Sequence, residues 1–225
     1  CDRRQRQMCI RDRCCTDECK KMVGNYMRLD EEYCLSEYVD LGRLGDNEKV
    51  HIVRNQVNGV IGVRKYVALD LEEIYLFLKE NPNAYIPKIY ECIQTDTNLI
   101  VIEEYLSGKN LEEMLKEKYF SEKDAADIII CLCNALYPLH HAKMPVICRD
   151  LKAENVILTN EGEVKLVDFD IARIYQPGKS KDTVMMGTQG YAAPEQFGFG
   201  QTDARTDIYA MGVLPVSYTH LTLPT

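Results

Sequence analysis

The 225-residue sequence lacks any apolar run long enough to cross a bilayer. Its longest, Ile128 to Leu139, has the length of a buried helix and is bounded by Asp127 and His140, so no membrane segment is expected within the chain. Basic residues are also short relative to acidic ones: Lys plus Arg number 27 against 35 Asp plus Glu, a net charge of −8. That balance argues against a general nucleic-acid binder, whose phosphate contacts need a basic face, and leaves room only for a local basic pocket. Repeats and low-complexity segments are absent. So are the spacings of a zinc ribbon or a disulfide framework, despite ten cysteines. A chain of this size buries a core without covalent staples, and the cysteines read as reduced thiols of a cytoplasmic protein. What is present, 46% apolar and 28% charged residues, is ordinary for a globular chain of one large domain or two small ones.

The two ends read as foreign to the rest. With one choice of codons, the reverse complement of the DNA encoding VSYTHLTLPT at the C-terminus translates as RRQRQMCIRD, the residues at Arg3 to Asp12. Both ends can thus be written as opposite strands of one DNA segment, which resembles a transposase-type sequencing adaptor. The expectation is that residues 1–13 and 215–225 are adaptor-derived and that the native fragment spans 14–214. Pro215 falls inside an apolar segment, IYAMGVL and its continuation, where it is expected to end a buried helix. Without Arg3 to Asp12, four Arg and one Asp are lost and the net charge becomes −11.

From Glu48 to Val67, two β-rich runs, KVHIVRN and VIGVRKYV, flank Gln56 to Gly59, whose Asn-Gly pair predicts a hairpin. Leu71, Ile74, Tyr75 and Leu78 recur with a helical period over Leu69 to Leu78. Strands are expected at Lys88 to Ile93 and Leu99 to Tyr105, a short helix from Leu111 capped by Asn110 with Glu113, and a long one from Ser121 through His140. VILT and VKLV then flank the turn Asn160 to Gly162, a second hairpin. A β-rich part followed by a helical part without a long linker suggests two lobes with a cleft between them.

Cys148 to Asn155 reads CRDLKAEN, and thirteen residues past Asn155 comes DFD at Asp168 to Asp170. This pattern resembles the catalytic loop and D-F-G of the eukaryotic-type Ser/Thr protein kinase family, which a β-hairpin separates. Phosphoryl transfer needs a carboxylate to take the hydroxyl proton and oxygen ligands for magnesium held opposite it. The resemblance implies Asp150 as the base, Asn155 and Asp168 as metal ligands, and Lys152 as the cation on the transferred phosphate. Singly, each residue is as compatible with a cap or a turn. GTQGYAAPE at Gly187 to Glu195 resembles the segment that docks a substrate hydroxyl, and Gly187 and Thr188 favour protein Ser/Thr substrates over tyrosine or metabolites. TDIYAMG resembles the helix whose acid, here Asp207, braces the catalytic loop; a plain helix N-terminal acid is compatible with that.

The N-terminal half departs further from the family. Aligned on VHIV, Val50 lies over the adenine and Gly45 at the middle glycine of the phosphate loop, but Arg43 and Glu48 stand where the other glycines belong, and Glu48 would repel a nucleotide. The lysine that grips the phosphates is Lys65 or, in the other alignment, Arg64. Its helix glutamate is placed at Glu72, with Glu73 beside it, although surface charge is the plain alternative for either. Leu99 to Asn110 resembles the family's hinge, which implies Glu103 at the gatekeeper position and Glu104 to Leu106 against the adenine edge; an acidic gatekeeper needs a polar partner if buried. Cys148 stands in place of the catalytic-loop histidine, without a base to make it a nucleophile. Asp170 replaces the D-F-G glycine beside Phe169, the switch residue. Arg149, helped by Arg173, is the expected receiver of a phosphate on Ser180 or Thr183.

The resemblance therefore implies an α+β, bilobal protein-kinase-like fold, with a β-rich N-lobe over about 33–105 and a helical, incomplete C-lobe over about 106–214. Its implied cofactors are ATP with Mg2+, or Mn2+ in its place. Its implied partners are proteins carrying Ser or Thr, including itself by autophosphorylation. A basic partner for Glu195 is expected beyond Leu214. Two functions follow: an active Ser/Thr kinase, or a pseudokinase serving as a regulatory nucleotide-binding module. An antibiotic or metabolite phosphotransferase is disfavoured by Thr188 and AAPE.

Overall fold

A computed structural model of the chain describes residues 32–45, 48–117, 120–178, 186–198 and 200–219, with backbone alone for 215–219. Five antiparallel strands form the first lobe: β1 (Tyr38–Arg43), β2 (Val50–Asn55), β3 (Ile61–Val67), β4 (Ile89–Gln94) and β5 (Leu99–Glu104), in the order β1-β2-β3-β5-β4. The β2–β3 hairpin lies where Asn-Gly predicts it. Asn55 Oδ1 accepts from the N–H groups of Val57 and Asn58, and Gly59 takes the left-handed conformation, φ +75°, that closes the turn. β1 has no counterpart in the sequence reading, because five of its six residues are exposed and no alternation marks it.

Between β3 and β4, a 3-10 turn at Leu69–Leu71 leads into α1 (Glu72–Glu80), and the predicted inward stripe is buried, Leu71 from the turn and Ile74, Tyr75 and Leu78 from the helix. After β5 the chain crosses to the second lobe through β6 (Gly108–Asn110) and α2 (Leu111–Glu117). Asn110 and Glu113 cap one another reciprocally, Glu113 N to Asn110 Oδ1 at 2.8 Å and Asn110 N to Glu113 Oε2 at 3.2 Å. Ser121 and Asp124 do the same for α3 (Glu122–His140). Then follow β7 (Val146–Ile147), β8 (Val156–Thr159), β9 (Val164–Leu166), β10 (Arg173–Ile174) and α4 (Ala204–Thr219), with β6-β8-β9 as one small sheet and β7 paired to β10.

Pro215 does not end α4, contrary to expectation, for the helix runs on to Thr219. Proline removes one i to i−4 hydrogen bond but leaves those on either side, and α3 carries Pro138 in the same way. One continuous core joins the lobes, from Val67, Ile74, Leu99 and Val101 to Leu132, Leu136, Leu166 and Leu214. No helix among the described residues is long and apolar enough to cross a membrane, and the five described cysteines carry free thiols.

Candidate active site

The segment from β7 to β8 is held from below by one buried carboxylate. Asp207, fully buried in the first turn of α4, accepts from the backbone N–H of Cys148 (Oδ2, 2.9 Å) and of Arg149 (Oδ1, 2.8 Å). His140 Nε2 lies 2.7 Å from the same Oδ2. The sequence reading missed His140, although a buried acid demands a donor and a histidine ending the preceding helix was available to supply one. Arg149 adopts φ +66°, and its Nε donates to Ile171 O at 2.7 Å, tying the loop to the DFD segment. Burial, and then the charge of Asp207, push the Cys148 thiol far above its ordinary range, which removes any nucleophilic role for it.

Above this base, four side chains converge. Asn155 Nδ2 donates to Asp150 Oδ2 at 2.9 Å and to Asp150 O at 3.0 Å. Lys152 Nζ lies 2.9 Å from Asp150 Oδ2, and Thr188 Oγ1 donates to Asp150 Oδ1 at 2.7 Å. Lys152 Nζ also reaches Thr188 Oγ1 at 3.3 Å. Burial alone would lower the Lys152 pKa, but the hydrogen bond and charge of Asp150 raise it, so Lys152 is a firm cation. Gly187 admits no side chain: a Cβ there would stand 2.6 Å from Ala192 Cβ and 2.7 Å from Gln196 Nε2. Gln196, also missed in the sequence, donates to Arg149 O (2.8 Å) and Met186 O (2.7 Å) and accepts from Ala193 N (3.0 Å), locking the 186–197 segment onto the catalytic loop. Glu195 accepts from Thr206 Oγ1 at 2.7 Å, a partner on α4 that the sequence reading did not foresee.

A small cleft is lined by Lys49, Val50, Lys65, Tyr66, Asp168 and Asp170. Asp168, at φ +69°, accepts from Asp170 N at 3.1 Å, and Phe169 is buried in the core. Successive strand residues face opposite ways, so only one of the two candidate cations enters the cleft. Lys65 does, while Arg64 pairs with Asp40 at 2.6 Å on the outer side. The carboxylate against Lys65 is not Glu72. It is Glu103, whose Oε1 lies 2.6 Å from Lys65 Nζ, with both side chains nearly buried. The register explains this correction: Val63 faces Glu103 and Lys65 faces Val101, so Lys65 and Glu103 are diagonal neighbours on one face of the sheet. Glu72 stands at the very start of α1 and makes no ion pair with Lys65; its charge is felt at Cys92, which shares the sheet face of Lys65. The acidic gatekeeper thereby has its polar partner.

Burial would lower the Lys65 pKa, but Glu103 outweighs it, with Asp168 and Asp170 adding to the same effect, and the value is raised. Burial and then the charge of Asp168 push Asp170 up to about 6, and Tyr75 Oη donates to Asp170 Oδ1 at 3.2 Å. Glu48 turns its exposed carboxylate to Arg43 (3.3 Å). Gly45 is in the left-handed conformation, φ +69°, at the exposed tip before β2. The N–H of Glu104 donates to Lys88 O at 2.8 Å, its carboxylate lies 3.8 Å from Lys165 Nζ, and Leu106 is half-buried beyond it. Ser180 and Thr183 fall outside the described residues.

The residues gather in two groups, Asp150, Lys152, Asn155 and Thr188 in one and Lys65, Asp168 and Asp170 around the small cleft in the other. The family profile of the protein kinase domain matches residues 47–224. The chain belongs to the protein kinase family. It is 40% identical over 116 residues to a probable serine/threonine-protein kinase, PknB, of Corynebacterium glutamicum, covering 50% of this chain and 18% of that protein. It is 36% identical over 130 residues to a probable LRR receptor-like serine/threonine-protein kinase of Arabidopsis thaliana, covering 56% and 12%. With a mitogen-activated protein kinase kinase of Nicotiana tabacum, SIPKK, identity is 27% over 196 residues, 82% of this chain and 55% of that one. The chain thus spans from about an eighth to about half of these relatives' lengths.

Proposed function

We propose that this kinase domain transfers the γ-phosphate of ATP to Ser or Thr hydroxyls of proteins. The observation that carries the reading is the hydrogen-bonded set Asp150, Lys152, Asn155 and Thr188. Asp150 Oδ1, now accepting from Thr188, would accept the proton of the incoming hydroxyl as its oxygen forms the new P–O bond and ADP leaves with the electron pair of the old one. Lys152, kept cationic beside it, would balance charge on the phosphoryl oxygens. Lys65 would hold the remaining phosphates, Val50 the adenine face, and Glu104 to Leu106 its edge.

Magnesium suits the residues present. Asp168 offers a carboxylate and Asn155 an amide oxygen, the hard donors this ion takes. When bound, the ion supplies neutralisation of phosphate charge. Asp150 and Lys152 handle the proton and the transferred group.

A second reading, a pseudokinase binding nucleotide as a regulatory module, is favoured by Asp170 in place of glycine and by a phosphate loop that retains Gly45 alone among its three glycine positions. Phosphate incorporation from labelled ATP with Mg2+, into the protein itself and into a generic protein, separates the two. Incorporation that vanishes in Asp150→Asn supports the transferase; a folded, ATP-binding protein with none supports the pseudokinase. We also propose a cytoplasmic location, autophosphorylation at Ser180 or Thr183 read by Arg149, and adaptor-derived ends at 1–13 and 215–225. Alanine at both hydroxyls and resequencing of the source DNA test the last two.

A further inference from the structure

We propose that Glu103, on β5, is the positioning residue of Lys65, doing from the sheet what the family resemblance assigns to a helix glutamate. The inference rests on the transferase reading and deepens it. Lys65 and Glu103 are diagonal neighbours on the cleft face of β3 and β5, 2.6 Å apart, and Glu103 is 7% exposed. A carboxylate so buried needs a partner, and a lysine at the end of four single bonds needs a fixed neighbour to hold one direction. Each supplies the other.

The ion pair of Lys65 is with Glu103 and not with Glu72. α1 begins only at Glu72, after the 3-10 turn, and the residue of that helix that reaches the cleft is Tyr75, bound to Asp170. The orientation of Lys65 is therefore set by strand register, and displacement of α1 leaves it in place. Lys65 also sits among Asp168 and Asp170, and a nucleotide phosphate entering there shares the ammonium with Glu103. Position is thus obtained without a mobile helix, and the lysine's direction is settled before nucleotide arrives.

The test is acylation of Lys65 by an amine-reactive acetyl ester at pH 7.5, read by peptide mass spectrometry on the full chain, beside Glu103→Gln and Glu72→Gln. Removing the Glu103 carboxylate takes away the partner that holds the ammonium at 2.6 Å and leaves Asp168 and Asp170 as its remaining acidic neighbours, so Lys65 in Glu103→Gln is expected to react at least fivefold faster, with Glu72→Gln within twofold of the parent. In the transfer assay Glu103→Gln is expected to lose at least tenfold in kcat/KM for ATP, with Glu103→Asp recovering part of it. Unchanged Lys65 labelling in Glu103→Gln, or faster labelling in Glu72→Gln alone, overturns the proposal. Faster labelling in Glu103→Gln from a protein that never transfers phosphate upholds the pairing and sinks the transferase reading instead. Should Glu103→Gln fail to fold, urea unfolding of Lys65→Met, Glu103→Met and their double variant carries the test. A double variant more stable than either single supports the pair, and strict additivity overturns it.

Discussion

Thr188 Oγ1 donates to Asp150 Oδ1 across 2.7 Å, joining two residues 38 positions apart in the chain. Thr188 also receives Lys152, so one hydroxyl sets both the direction of the carboxylate and the reach of the cation. Thr188→Val is expected to lower kcat/KM for a protein substrate by about 10- to 100-fold, the scale of losing a hydrogen bond to a charged group. Thr188→Ser should restore most of it. Steady-state transfer kinetics with the two variants decide; a loss in Thr188→Ser with none in Thr188→Val would show that the methyl, rather than the hydroxyl, matters.

Asp207 satisfies two backbone donors and faces His140 in a fully buried place. Asp207→Ala strands those donors, and the expected loss of stability is about 3 kcal/mol or more. Asp207→Asn keeps one acceptor and should lose less. Urea unfolding followed by far-UV circular dichroism measures both, and a loss below about 1 kcal/mol in the alanine variant would contradict the bracing role.

Gly187→Ala brings a Cβ to 2.6 Å from Ala192 Cβ and 2.7 Å from Gln196 Nε2. The Gln196 clamp must give way, and stability is expected to fall by about 1–3 kcal/mol. Proteolysis should then begin near residues 186–197 before the rest of the fold opens. Limited trypsin or thermolysin digestion with mass-spectrometric mapping checks the site of first cleavage.

Cys148 and Cys133 differ in burial, 0% exposed against exposed, and burial holds the Cys148 thiol protonated. Iodoacetamide at pH 8 is expected to modify Cys133 within minutes and to spare Cys148 until urea unfolds the chain. Early modification of Cys148 in the folded protein would refute its structural role.

What the sequence made legible was what lies close together along it. The β2–β3 hairpin, the Asn110 and Ser121 caps and the spacing from Asp150 to Asp168 are local chemistry, and the structure places each where that chemistry puts it. The Lys65–Glu103 pair was not legible, because it depends on the register of two strands whose paired residues stand about forty positions apart. Glu72 attracted the assignment through family spacing, which a helix preceded by a 3-10 turn does not keep. His140 and Gln196 were hidden for the same reason: their partners are Asp207, 67 positions away, and Arg149, 47 positions away. Pro215 misled because a single proline costs a helix one hydrogen bond and a bend, not its continuation.

The bond from Tyr75 Oη to Asp170 Oδ1 crosses from α1 of the first lobe to the DFD segment of the second. It acts as a latch across the hinge. Swinging the lobes apart would break it, so cleft opening would be coupled to the Asp168–Asp170 segment through the tyrosine hydroxyl.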